Sequence, residues 1–268
     1  SSTSMTLTGG KIWGEVSEGF LSTLKNNLTA GGKTYRPVSL WVNWPVTDNS
    51  KQHLILGGGE KFLHPNVDPS LLSGIMLNPM QQSEPSKIAL FSGAQYSWKQ
   101  WKSEEEAKKI NDIAFNFVEN GHFEDSKVSA AFRELGKHMI NQNMDGRVVK
   151  LEESVELAPK LTDFMTKLKA GQDVTAERAT LRAEFAKIKE AAELYKASGD
   201  QKMVAQIHYW LDNAIDQMNA LDAFLTGTEA MTTNDAAKLW DSYYKGLKLY
   251  EQSQTHTFHY VDHLEKAE

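Results

Sequence analysis

The chain contains no cysteine. That excludes disulfides, thiolate zinc sites and cysteine nucleophiles, and it is compatible with an oxidising or a reducing compartment. Long hydrophobic runs are missing too: no stretch reaches the roughly 18 apolar residues of a membrane-spanning helix. The N-terminal SSTSMTLTGG has neither the charged start nor the apolar centre of a secretory signal, so any signal of the parent protein is expected outside this chain. A basic face is the third absence. The formal charge is -6 and the pI near 5.8, and Lys and Arg are scattered, so nucleic acid is not an expected partner. There is no internal repeat and no low-complexity segment.

The 268 residues suffice for one large domain or two of ordinary size. Composition changes near residue 100. Up to Trp101 lie most of the glycines, six of the seven prolines and five of the seven tryptophans, in short apolar runs separated by turn residues: MTLTGG, PVSLWVNW, LSGIMLNPM, SKIALFSGAQYSW. This reads as alternating strands and helices. From Ser103 onward the pattern is helical. Candidate helices cover about 103–119, 125–143 and 152–169, the last kinked or started late by Pro159. Asp173 or Thr175 can cap a helix with Leu181, Phe185, Ile188, Ala192 and Tyr195 at spacings of three and four. After SGD at 198–200 comes a helix with Val204, Ile207, Leu211, Ile215, Met218, Leu221 and Leu225 on one stripe, which GTEAMTTND ends. A third places Leu239, Tyr243, Leu247 and Tyr250 together. These spacings predict antiparallel bundle helices. The expected organisation is an α/β part over residues 1–101 and an all-α bundle over 102–268.

Ligands of parallel α/β folds sit at the carboxyl ends of strands. Two candidate strands end in polar residues there. In VSLWVNWPVTD, alternation puts Trp41 and Asn43 on one side, with Asp48 in the loop that follows. In GIMLNPM, the apolar run ends at Asn78, and Pro79 blocks continuation. An unpaired buried amide costs about 1 to 3 kcal/mol, so each Asn needs a partner in the protein or in a ligand. One reading has Asn43 and Asn78 satisfying loop backbone and capping the next helices, with Asp48 an N-cap in TDNS. The other is a sugar site, since amides, a carboxylate and aromatic planes match a ring of hydroxyls with an apolar face.

WVNWPVTD, LILGGGE and GIMLNPMQQSEPSKIALFSGAQYSW together resemble the second half of the catalytic domain of glycoside hydrolase family 84, which contains bacterial β-N-acetylglucosaminidases, often labelled hyaluronidases, and the O-GlcNAcases. TGGKIWGEV resembles an earlier strand region of that domain, and residues 103–225, including LEESVELAPKLTDFMTKLKAG, are similar to the helical domain that follows it in bacterial members. The resemblance implies that TLTGG, SLWVNW and GIMLN are strands six to eight of a (β/α)8 barrel, followed by the antiparallel helical bundle. It implies retaining, substrate-assisted hydrolysis of terminal GlcNAc: the 2-acetamido oxygen attacks C1, one Asp orients that amide, and its sequence neighbour is the acid/base. It also implies that Trp41 walls the acetamido methyl, Asn43 binds near the catalytic pair and the sugar, Asp48 takes the 4- and 6-hydroxyls, and Asn78 reaches the ring hydroxyls.

Strands one to five have no counterpart here, nor has the family's pocket tyrosine, and the sequence holds no Asp-Asp pair. The chain is therefore expected to carry no catalytic residue. Leu7 replaces the family's usual aromatic before the threonine of TG, and SSTSM reads like a junction sequence, so an N-terminal truncation is expected. Three strands cannot close a barrel, and their apolar surface would pair with the missing half or a second copy, or rearrange. The expected partners are a GlcNAc-bearing glycan or an O-GlcNAc protein, with no cofactor, and by resemblance a secreted or cell-surface bacterial location. The alternative function is a helical interaction or dimerisation module without activity. In HTFHYVDH, His256, His259 and His263 stand at helical spacings that could present a metal site, but a solvated terminal helix is the plainer reading and no metal is expected. GGG at 57–59 lacks the Lys-Ser/Thr of a phosphate loop. The EEE run at 104–106 fits a helix first turn.

Overall fold

The structure, a computed structural model, describes residues 4–140 and 151–268. The chain is mixed, rich in helix with few strands. It divides into two compact units, residues 1–126 with 139–151 and residues 127–138 with 152–268.

In the first unit three strands, β1 (Thr6–Leu7), β2 (Val38–Pro45) and β3 (Leu72–Asn78), lie side by side in that order, all parallel. The helix α1 (Glu18–Leu28) connects β1 to β2, its first turn capped by Ser17. Strand β2 buries Val38, Leu40, Val42 and Trp44 on one face and turns Ser39, Trp41 and Asn43 to the other. This two-residue alternation is that of a half-covered sheet. The covered face packs on α2 (Ser83–Trp98), where Gly93 sits so close that an added Cβ would lie 2.3 Å from Leu77 Cδ1. Helix α3 (Glu104–Asn120) begins at Ser103 with the three glutamates in its first turn.

Although composition places α3 with the later helices, it belongs to the first unit. It packs on α2, and Asn111 donates from Nδ2 to the Leu56 carbonyl at 3.3 Å. The GGG run serves Trp44: Gly59 has a φ of +82°, and a Cβ there would lie 2.9 Å from the indole.

The second unit holds α4 (Lys127–Gly136), α5 (Leu157–Lys169), α6 (Thr175–Ser198), α7 (Gln201–Thr232) and α8 (Ala236–Ser253), then a hairpin of β4 (Thr257–Tyr260) and β5 (His263–Lys266). The candidate helix 125–143 stops at Gly136, its last residues falling outside the described ones, and α5 starts late with Pro159 in its first turn. Asp173 does bind the start of α6, accepting from Thr175 N at 3.0 Å. Helix α7 ends at Thr232, within GTEAMTTND as expected. Ion pairs Lys160–Glu184 and Lys167–Glu177 run between α5 and α6, and Lys196–Asp212 and Arg182–Asp222 between α6 and α7. Partner numbers rise on one helix as they fall on the next, so both pairs are antiparallel.

Two expectations fail here. Of the stripe expected on α8, Tyr243 and Tyr250 are turned outward, 44% and 49% exposed, while Leu239 and Leu247 are half-buried and Leu239 lies against Gly227 of α7. The buried residues are Ser242, Gly246 and Ser253, because small side chains let α8 approach α7 closely; a Cβ on Gly246 would lie 2.6 Å from the Phe224 ring. The terminal HTFHYVDH is a hairpin and not a helix. Thr257, Phe258 and Tyr260 favour extended backbone, and Val261 takes a φ of +55° at the turn. Its histidines are parted: His256 Nε2 lies 2.7 Å from Asp216 Oδ2, while His263 contacts Asp262 and Glu265.

A charge cluster ties α4 to α6. His138 Nε2 lies 3.6 Å from the Glu134 carboxylate, and the ammoniums of Lys137 and Lys187 each lie at 3.2 Å. Hydrogen bonding from His138 first, then from the two lysines, outweighs burial and holds the Glu134 carboxyl at about 2, down from the ordinary 4.5. A depressed folded-state value stabilises the unit fully above 4.5, and that share is lost as pH falls through about 2. Acid unfolding followed by circular dichroism should thus show a shallower decline over that window for Glu134→Gln than for the parent chain; equal slopes would show that Glu134 does not contribute.

Candidate functional site

The open face of the sheet carries the candidate site. Trp41 and its register partner Met76 are 41% and 42% exposed there, so an indole plane is free to stack. The ladder then slips. Val42 pairs with Leu77 and Pro45 with Asn78, so β2 spends two more residues than β3 over this step. Such a bulge at a strand end redirects side chains.

Here it brings two amides together: Asn78 donates from Nδ2 to Asn43 Oδ1 at 3.1 Å, and Trp41 donates from Nε1 to the same oxygen at 2.7 Å. Both lone pairs of Asn43 Oδ1 are thereby occupied. Its Nδ2 donates to the Ile12 carbonyl at 2.5 Å. The amide orientation follows, since a flipped Asn43 would set nitrogen against two donors.

Ile12 is the residue that sequence reasoning missed. It stands in the loop between β1 and α1, 64% exposed. Gly9 and Gly10 take φ of +77° and +88°, and the loop folds so tightly that a Cβ on Gly14 would lie 1.8 Å from the Thr8 carbonyl oxygen. The spacing of glycines in TGGKIWG was the available signal, although it does not say which carbonyl the turn presents.

Of the four candidate residues, Trp41, Asn43 and Asn78 form one hydrogen-bonded group. Asp48 lies apart from that network in the loop after β2, exposed, with Asn49 Nδ2 3.3 Å from its Oδ1. No helix follows it; the Ser50 N–H to Thr47 carbonyl bond makes residues 47–50 a turn, so Asp48 is not an N-cap. Neither asparagine caps a helix. Gln82 precedes α2, and Asn43 satisfies loop backbone instead. Asn78 Oδ1 and Asp48 Oδ2 are left without partners among the described residues.

A family model described as beta-N-acetylglucosaminidase matches residues 1–137, and one described as hyaluronidase post-catalytic domain-like matches residues 156–257. Among solved structures, that of CpGH84D is similar over 99% of this chain and 42% of its own, at 24% identity and a TM-score of 0.86. That of CpGH84B covers 93% and 41%, at 22% identity and 0.74. An O-GlcNAc hydrolase mutant from Thermobaculum terrenum covers 93% and 54%, at 18% identity and 0.68. The chain thus shares their fold and spans about half of their length or less. With more than half of its residues matched by the first family model, the chain belongs to the β-N-acetylglucosaminidases of glycoside hydrolase family 84.

Proposed function

We propose that this chain supplies the sugar-binding part of a retaining exo-β-N-acetylglucosaminidase, in which β1 to β3 stand as strands six to eight of a (β/α)8 barrel and the later helices form the bundle that follows it in sequence. The observation that carries the proposal is the Trp41, Asn43 and Asn78 group at the carboxyl ends of two parallel strands. Trp41 stacks on the acetamido methyl. Asn78 Oδ1 and Asp48 are the open acceptors for sugar hydroxyls. Asn43, with its oxygen doubly engaged, holds Trp41 and Asn78 in place from below.

Hydrolysis in the parent would follow the substrate-assisted route, removing terminal GlcNAc from glycans or from Ser and Thr through an oxazoline. No adjacent aspartate pair exists in this sequence to orient the acetamide and protonate the leaving group. The chain alone should therefore give no turnover of a chromogenic N-acetylglucosaminide. In the full-length parent, Asp48→Ala should weaken sugar binding by about 1.5 to 3 kcal/mol, the share of a hydrogen bond to a charged group. Turnover by the chain alone, or unchanged KM and kcat in that variant, would overturn the assignment.

A second reading, a helical interaction or dimerisation module, has one observation behind it: α8 turns Trp240, Tyr243, Tyr244 and Tyr250 outward. A monomer in analytical ultracentrifugation would remove it.

A further inference from the structure

On the other flank of α8 the second unit contains a cavity of about 380 Å³ between α7 and α8, lined by Asn219, Asp222, Ala223, Thr226, Ser242, Lys245 and Leu249. It is within the size range of small-molecule sites, roughly 300 to 1,000 Å³.

Its polar groups are unspent. Ser242 is 8% exposed, and its hydroxyl, on a residue lining the cavity, has no hydrogen-bond partner among the described residues. That hydroxyl is open to the cavity, where it can both donate to and accept from a ligand. The Asn219 amide and the Lys245 ammonium likewise have no partner among the described residues. Asp222 accepts at Oδ1 from Arg182 Nη1, while its Oδ2 has no partner among the described residues; Thr226 Oγ1 is engaged, accepting from Arg182 Nη2 at 2.9 Å and donating to the Asp222 carbonyl at 3.2 Å. Ala223 and Leu249 supply apolar wall.

This inventory selects a ligand class. No aromatic plane lines the cavity among the described residues, so a nucleobase lacks its usual partner and a sugar there would rest on aliphatic side chains instead of a ring. One ammonium without a fork or a cradle of backbone N–H groups is a poor phosphate site but matches a single carboxylate. An amide, a hydroxyl and one carboxylate oxygen suit several hydroxyls on one ring, whose apolar face would rest on Ala223 and Leu249. We infer that this cavity binds a saccharide unit carrying one carboxylate, a uronic acid, with Lys245 on the carboxylate and Asn219, Ser242 and Asp222 on the hydroxyls.

The cavity belongs to the second unit and the sheet to the first, and the cavity's ligand lacks the acetamido group that the first unit is proposed to hold. The probes are therefore methyl β-glucuronide and methyl β-glucoside, which differ at one carbon, titrated against the 268-residue chain with backbone amide shifts as readout. The glucuronide should shift residues 219–226 and 242–249 and bind about tenfold or more tightly than the glucoside, as one charge-assisted hydrogen bond implies. Lys245→Met, an exposed change that leaves the helix intact, should erase that preference, and Trp41→Ala should leave it untouched. No shifts at α7 and α8, equal binding of the two probes, an unaltered preference in Lys245→Met, or its loss in Trp41→Ala each overturns the inference.

Discussion

Replacing Asn43 with alanine in the full-length enzyme should lower kcat/KM for an aryl N-acetylglucosaminide about a hundredfold, which corresponds to three hydrogen bonds at roughly 1 kcal/mol each. The three are the bonds from Trp41 and Asn78 to its oxygen and the bond from its nitrogen to the Ile12 carbonyl. Alanine frees the indole to rotate and removes the acceptor that fixes the Asn78 amide, so both surfaces proposed to meet the sugar lose orientation. Asn43→Asp is the informative companion. It keeps an acceptor for both donors but sets a carboxylate oxygen against the Ile12 carbonyl, so it should recover the Trp41 fluorescence spectrum of the parent while leaving the loop displaced. A kcat/KM within threefold of the parent in Asn43→Ala would sink the idea that this amide organises the site.

The second large effect is expected at a residue with no functional group. Gly14→Ala places a methyl 1.8 Å from the Thr8 carbonyl oxygen and 2.7 Å from the Gly9 Cα, all of it backbone that cannot rotate aside. The loop must open. Overpacking of this kind costs about 3 kcal/mol, enough to lower the melting temperature of the first unit by on the order of 10 °C.

The opening also carries the Ile12 carbonyl away from Asn43, so activity should fall with stability. Because both substitutions act through that bond, kcat/KM of the double variant should fall well short of the product of the two single losses. Additive losses would show that the glycine loop and the amide serve separate ends.

The strands were legible because their apolar runs stop at Asn or Pro within a few residues, and two-residue alternation placed Trp41 and Asn43 on one side of β2. Asn78 was a separate strand end on paper. Only the ladder slip at Asn43 and Trp44 joins it to Asn43, and a slip depends on how two strands pair, which neither strand encodes alone.

The helices of the second unit were legible as helices, whereas the orientation of α8 was not. Leu239, Tyr243, Leu247 and Tyr250 make the stronger hydrophobic stripe, yet Ser242, Gly246 and Ser253 make the thinner one, and close approach to α7 favours thinness over apolar area. The terminal hairpin was lost to a coincidence of spacing. Histidines three and four apart suggest a helix, while the Thr, Phe and Tyr between them alternate as in a strand.

The charges between α6 and α7 bear on how α7 is held. Sliding α7 by one turn, about 5.4 Å, would keep most apolar side chains facing apolar neighbours. It would strand Arg182 away from Asp222 and Lys196 away from Asp212 at the same moment, and take Thr228 from the buried Arg178. Exposed pairs of this sort add little to stability. What they supply is a vernier: 24 residues of α6 and 32 of α7 settle at a single longitudinal setting, and the groove that α7 shares with α8 keeps its lining in step.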